Sequence, residues 1–186
     1  MGLVVISGIA LALVGAVLYV VGLYNGLVSL KHDVDRSWAN IDVLLKQRAD
    51  ELPKLVDTVK GFMAHEKSVL EGVIAARGAF DRARTQEEKG AADAAAREAV
   101  SRLFAVAEAY PQLRSSESFQ QLQGRISLLE EGIADRREFF NHSVNALNVR
   151  IEQVPDVFVA QWMGLGPRAL FQATPDEKKD VKIKFD

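Results

Sequence analysis

The chain begins with a run of apolar residues that extends from Leu3 to Leu23 without a charged side chain. A run of about twenty such residues is the length that crosses a bilayer as an α-helix. A secretory signal peptide is the competing interpretation, but it requires a basic segment before a shorter apolar core. Neither Lys nor Arg precedes the run. We therefore predict a retained transmembrane anchor over residues 1–23.

Three glycines recur every seven residues within this apolar run, at Gly8, Gly15 and Gly22. Glycine at that spacing lines one face of a helix and lets a second helix approach closely. This glycine face favours self-association of the anchor into a homo-oligomer. The alternative interpretation is that glycine, which is common in membrane helices, serves no partner here.

Beyond the anchor, apolar positions follow the three-and-four alternation of an amphipathic helix. The first stretch contains Val34, Trp38, Ile41, Leu45, Leu52, Val56, Val59, Met63, Leu70 and Val73. We predict a helix that continues to about Arg84, with a kink or a short break at Pro53. A polar turn over 85–90 and an alanine-rich second helix over 91–109 follow, and Pro111 disfavours continuation of that helix.

The longest apolar stripe lies in a third predicted helix after Pro111, with coiled-coil-like heptad spacing over more than thirty residues. Its apolar members are Phe119, Leu122, Ile126, Leu129, Ile133, Phe140, Val144, Leu147 and Ile151. Arg136 or Arg137 occupies the one position that lacks an apolar side chain. A stripe of this length must be buried against neighbouring helices. We therefore predict an all-α fold, with an elongated antiparallel three- to four-helix bundle over residues 24–163.

The remaining residues, 164–186, form a predicted tail. Its end alternates apolar and basic side chains in a strand-like manner, and a strand of five residues requires a partner edge. We predict that Val181, Ile183 and Phe185 contact a neighbouring segment or a partner by strand addition.

Charge and composition narrow the partners. The net charge of −2 gives no basic field for phosphates, so we expect no nucleic-acid partner. The absence of cysteine excludes disulfides and thiolate chemistry.

The basic residues near the anchor predict its orientation. Lys31 and Arg36 follow the anchor, whereas no basic side chain precedes it. The positive-inside rule therefore places the amino terminus outside and the bundle in the cytoplasm. This topology leaves no external segment for a sensor domain.

Candidate chemistry is sparse. His65-Glu66 begins like a zinc-protease motif, but no second histidine follows at the required spacing. Glu138 and His142 lie one helical turn apart, which is typical of a surface ion pair. We expect no catalytic residue, metal or cofactor. The alternative is a metal-binding or enzymatic bundle that uses these four residues.

Polar residues beside the apolar stripes suggest structural roles. The first helix contains a polar cluster of Trp38, Asn40, Asp42 and Arg48. We assign Trp38 to helix packing or to an oligomer contact. Asn141, Asn145 and Asn148 line one face of the third helix. These asparagines either hydrogen-bond across helices and fix their register, or form a solvated face.

An ordered set of short motifs along nearly the whole chain resembles the LemA family. The set consists of Tyr24-Asn25-x-Leu27-Val28, Trp38-x-x-Ile41-Asp42-x-x-Leu45, Arg48, Leu52-Pro53-x-Leu55-Val56-x-x-Val59-Lys60-Gly61, His65-Glu66, Ala76-Arg77, Tyr110-Pro111-x-Leu113, Phe119-x-x-Leu122-Gln123, Glu130, Arg136 or Arg137, Phe140-Asn141, Val144, Asn148, Pro155 and Val181-x-Ile183-x-Phe185. Phe140 departs from the tyrosine that is common in the family.

The resemblance implies a single-pass protein of the bacterial inner membrane, with a cytoplasmic helical bundle and no established chemistry. Family members are often encoded near membrane proteases, and relatives occur in magnetosome membranes. Sequence and resemblance together predict a non-catalytic scaffold or adaptor that self-associates in the lipid bilayer. Its expected partner is a membrane protease or another membrane protein, with a link to membrane protein quality control.

Overall fold

The computed structural model describes residues 1–171, and every regular element in that range is helical. The elements are α1 (Gly2–Val59), α2 (Lys67–Arg82), α3 (Gln86–Ala107), α4 (Pro111–Arg114), α5 (Glu117–Glu152) and α6 (Asp156–Trp162). The prediction of an all-α chain with an N-terminal apolar helix and a helical bundle is confirmed. The predicted tail contacts Val181, Ile183 and Phe185 lie outside the described residues.

The chain divides into two compact units. The first comprises Met1–Ala39 and Glu138–Leu170, and therefore contains α6 and parts of α1 and α5. The second comprises Asn40–Arg137 together with Phe171, and contains α2, α3, α4 and the remaining parts of α1 and α5.

The amino-terminal part of α1 has the character of a membrane helix. Its side chains are exposed from residue 1 to residue 22, and burial begins at Leu23. Within the described chain, α1 is the one helix long and apolar enough to cross a membrane, and its apolar window is 0% buried. A core helix of similar composition would be covered by protein, whereas hydrocarbon is the natural surrounding of this bare apolar surface.

The second unit is built on a shared apolar core to which five helices contribute. Its members come from α1 to α5 and from the turn after α1: Leu52, Leu55, Val59, Met63, Val69, Val73, Ala76, Ala96, Val100, Leu103, Ala107, Leu113, Phe119, Leu122 and Ile126. Within this unit α1 and α5 run antiparallel, because Arg48 contacts Glu130 while Glu51, one turn later, contacts the earlier Arg125. The predicted stripes supply most of the α1 and α5 members of this core, but they omitted Leu55, which is completely buried.

The predicted end of the first helix is wrong. Pro53 lies inside α1, which ends at Val59, and a new helix begins at Lys67. Gly61 weakens helix propensity at this point. The backbone then turns tightly, with the amides of Phe62 and Met63 both donating to the carbonyl of Val59. This turn buries Met63 completely in the core.

The predicted start of the second helix is also wrong, because α3 begins within the segment interpreted as a polar turn. Thr85 accepts a hydrogen bond from the Glu88 amide, and the Glu88 carboxylate accepts from the Thr85 amide. This reciprocal capping box satisfies amides of the first turn that have no partner within the helix.

Candidate functional site

The second unit contains a buried ionic network centred on Arg48, whose side chain is only 2% exposed. Its Nη2 donates to a carboxylate oxygen of Asp93 at 2.6 Å and to the Asp93 carbonyl at 3.1 Å. Its Nη1 donates to Glu130 Oε1 at 2.6 Å. Arg48 therefore joins α1 to α3 and α5. The planar guanidinium suits this bridging geometry, since its N–H groups diverge in a fixed fork.

Two further arginines extend this network, which we call the Arg48 network. Arg97 lies 3.4 Å from Asp93 Oδ2 and 3.4 Å from Glu130 Oε2. The side chain of Arg137 is buried, and its guanidinium carbon lies 4.7 Å from the centroid of the Phe171 ring. Burial, followed by the positive charge of Arg97, lowers the pKa of Arg137, while Asp93 and Glu130 oppose that shift. Three cations and two carboxylates thus share one interior region.

The composition of the Arg48 network favours a structural role. Its polar atoms come from three helices, so it constrains their register, as buried polar groups do in some helical assemblies. Its basic members are guanidinium groups, which stay protonated and therefore serve poorly as general bases. Sequence analysis placed Arg48 in a polar cluster of the first helix, recognised Glu130 only through the family resemblance, and assigned no role to Asp93. Arg137, and not the exposed Arg136, fills the position that lacks an apolar side chain.

The first unit contains Trp38 and the three asparagines proposed as packing contacts. Trp38 makes an edge-to-face contact with Phe140, with ring centroids 5.6 Å apart. Asn148 accepts a hydrogen bond from the Arg168 amide at 2.8 Å and donates to the Arg168 carbonyl at 2.9 Å. Asn141 is half-buried, whereas Asn145 is exposed. Asn148 therefore holds the segment that follows α6 through a contact between residues distant in sequence.

The glycine face of the anchor is open in this single chain. A Cβ added at Gly8, Gly15 or Gly22 would meet nothing within 4 Å. These glycines therefore relieve no crowding within the described chain, and the surface they form is free for an external helix.

The residues of the alternative metal-site hypothesis lie on surfaces. His65, Glu138 and His142 are exposed, and Glu66 accepts a hydrogen bond from the Tyr110 hydroxyl at 3.2 Å. Burial, together with the Glu66 carboxylate, raises the pKa of Tyr110. Within residues 1–171, no group of three His, Asp or Glu side chains is placed to hold a metal ion.

An exposed aromatic surface in the first unit was not identified from the sequence. The side chains of Phe158 and Trp162 are 66% and 80% exposed, although Val159 and Ala160 on the same helix are buried. The ring of Trp162 lies 6.0 Å from that of Tyr24, the residue that follows the apolar run. A cleft of about 400 Å³ beside this pair is lined by Tyr24, Val28, Lys31, His32, Trp162, Met163 and Leu165.

Comparison with known proteins gives consistent matches. A family model described as the LemA family matches residues 37–185. The magnetosome proteins MamQ 2 and MamQ 1 of Paramagnetospirillum magneticum are each 26% identical over 178 residues, which covers 82% of this chain and 65% of the relative. Magnetosome protein MamQ of Magnetospirillum gryphiswaldense is 25% identical over 178 residues, with the same coverage. The chain thus spans 65% of the length of these curated relatives.

Proposed function

Because this chain belongs to the LemA family, we propose that it is a non-catalytic membrane scaffold that self-associates through its anchor and presents a helical bundle to other membrane proteins. Its membrane association is supported by the bare apolar helix and by the similarity to magnetosome proteins. The observation that carries the proposal is the glycine face, which is open at Gly8, Gly15 and Gly22.

The proposed assembly brings the glycine faces of two anchors together. Lipid tails are as apolar as leucine, so helices in a bilayer associate by close packing rather than by the hydrophobic effect. Three glycines on one face permit a close backbone approach over most of the span, while the larger side chains on the other faces contact lipid. The Arg48 network and the apolar core keep the attached bundle in a single register, which a scaffold requires of a binding surface.

The proposed topology places the amino terminus outside the bacterial inner membrane and the bundle in the cytoplasm. Lys31 and Arg36, which follow the span, support this orientation. The partners we propose are membrane proteins, including proteases that act in membrane protein quality control. Chemical crosslinking in native membranes, followed by identification of the captured proteins, tests this part. Recovery of the chain without any membrane protein would contradict it.

Disulfide crosslinking tests the glycine face directly, because the chain contains no cysteine. Leu11 lies three residues after Gly8 and four before Gly15, so a cysteine there shares the glycine face. We expect Leu11→Cys to form covalent dimers in native membranes, and Val17→Cys, on the opposite face, to form few. Adding Gly15→Leu to the Leu11→Cys chain should abolish most of the dimer.

A matched control separates packing from a general effect of a larger side chain. Ala10 lies opposite the glycine face, so Ala10→Leu in the Leu11→Cys chain should leave the dimer yield unchanged. A strictly monomeric Leu11→Cys chain, or equal yields from Leu11→Cys and Val17→Cys, would refute self-association through the glycines.

A further inference from the structure

We infer that α6 is a second membrane contact, an interfacial helix whose exposed aromatic face lies among the lipid headgroups beside the anchor. Phe158 and Trp162 lie four residues apart in α6 and therefore share one face, and Val154 in the turn before α6 is exposed as well. The side chains of Phe158 and Trp162 are 66% and 80% exposed, and that of Val154 is 77% exposed. The inference depends on the membrane anchor and not on its self-association.

The opposite face of α6 explains how this surface is held outward. Val159 and Ala160 are buried, and the buried Asp156 accepts a hydrogen bond from Arg150 Nε at 2.6 Å. Apolar and ionic contacts thus fix α6 against the other helices of the first unit. Phe158 and Trp162 are on the outer side of this packed helix.

The position of Trp162 beside the end of the anchor indicates that the bilayer covers the aromatic face of α6. Its ring packs against Tyr24, and the apolar run ends at Leu23. Leu3 to Leu23 covers about 30 Å as a helix, which matches the hydrocarbon thickness, so Tyr24 falls at the membrane–water boundary. Tryptophan and tyrosine are enriched at that boundary because their rings are apolar with a polar edge.

The path of α5 within the first unit also leads to the level of Tyr24 along α1. Phe140 packs beside Trp38, and α5 continues for twelve residues to Glu152, while Trp162 returns beside Tyr24. Twelve residues of helix cover about 18 Å, close to the distance along α1 from Trp38 to the end of the anchor. The connection between α5 and α6 is therefore placed next to the membrane boundary.

The charges around the aromatic pair suit a lipid surface. The cleft beside Tyr24 and Trp162 contains Lys31 and His32 but no carboxylate. The one acidic side chain of α6, Asp156, is buried and paired with Arg150. A phospholipid phosphate would thus meet a cation without a competing carboxylate, while Phe158 and Trp162 contact the upper acyl chains.

Tryptophan fluorescence of the full chain in phospholipid vesicles tests the inference. In a Trp38→Phe chain, Trp162 is the only tryptophan. With phosphatidylcholine brominated near the headgroup end of its acyl chains, we expect Trp162 to lose most of its emission and to be protected from aqueous iodide. Bromines placed at the bilayer centre should quench it less, because the interface is shallow.

The reciprocal Trp162→Phe chain is the control, since its remaining Trp38 lies about 21 Å from Tyr24 along α1. Trp38 should be insensitive to brominated lipid. The difference in quenching by brominated lipid between the wild-type and Trp162→Phe chains measures the lipid contact of Trp162. This comparison does not require the Trp38→Phe chain to fold. A second reporter, Phe139→Trp in the Trp162→Phe chain, places an exposed ring on α5 and should be quenched by iodide alone.

Two outcomes would overturn the inference. Full quenching of Trp162 by iodide, with no response to brominated lipid, would place α6 in water. Protection from iodide that disappears when the protein is diluted in lipid, again without lipid quenching, would assign the surface to a second copy of the chain.

Discussion

Replacing Arg48 by methionine tests whether the Arg48 network holds the bundle together. The guanidinium is 2% exposed and hydrogen-bonds to Asp93 and Glu130 at 2.6 Å each. Methionine retains much of the apolar stem but removes the charge and both contacts. Asp93, also 2% exposed, is then left in the interior beside Arg97, 3.4 Å away, and within the electrostatic influence of Arg137.

The loss of stability depends on the charges that remain buried after Arg48 is replaced. Removing one partner of a buried ion pair costs about 3–5 kcal/mol, because the other charge remains without compensation. Arg97 offsets part of the Asp93 charge, and Glu130 at 25% exposure reaches water. We therefore expect a loss of about 3 kcal/mol in the free energy of unfolding, near the lower end of that range. In a chain of this size, this lowers the melting temperature by about 6–12 °C.

A double-mutant cycle separates the ionic contact from the packing of the side chain. Asp93→Leu alone leaves Arg48 buried with Glu130, and should also destabilise the bundle. The Arg48→Met/Asp93→Leu chain removes both charges, so we expect it to lose less stability than the sum of the single variants, by about 2 kcal/mol. Far-UV circular dichroism of the full chain in detergent, during heating and in guanidinium chloride, measures these differences.

The exposed Arg102 of α3 provides the matched control. Arg102→Met removes the same charge from a surface position and should change stability by less than about 0.5 kcal/mol. If Arg48→Met is as stable as Arg102→Met, or if the two network substitutions are strictly additive, the proposed coupling between α1 and α3 through Arg48 is wrong.

Two further predictions concern local contacts. Hydrogen bonds from the backbone amides of Arg84 and Thr85 lower the pKa of Glu88 below its ordinary value of 4.5. The Glu88 carboxylate therefore stabilises the fold fully above pH 4.5, and this stabilisation is lost as the pH falls through the folded-state pKa. Acid titration followed by circular dichroism should therefore show a smaller loss of stability for Glu88→Gln than for wild type, and identical profiles would contradict this. Asn148→Ala removes both hydrogen bonds to the Arg168 backbone and should speed amide hydrogen exchange over residues 164–170. Asn145→Ala, at an exposed position of the same helix, should not, and equal exchange in both variants would refute the role of Asn148.

The apolar core could be predicted because helical periodicity reports directly on burial. Ile41, Leu45, Ile126 and Ile133 all lie on predicted stripes and are almost completely buried. The start of α3 was also readable, since Thr85 and Glu88 have the spacing of a capping box. The polar composition of that segment, taken alone, indicates a turn and therefore a helix boundary several residues too late.

The Arg48 network could not be assembled from periodicity. Asp93 lies in an alanine-rich helix, 45 residues from Arg48, and resembles any solvated acidic side chain until α3 is placed against α1. Its burial depends on partners distant in sequence. Arg137 was easier to find, because it interrupts an otherwise apolar stripe and the interruption itself indicates a buried polar group.

The aromatic face of α6 shows why hydrophobicity alone does not identify a membrane contact. Val159 faces protein, whereas Phe158 is bare, yet the sequence gives both as apolar residues of one short helix. A protein core and a bilayer select the same side chains, because both exclude water. What distinguishes them is position: Trp162 packs on Tyr24, where the apolar run of the anchor ends.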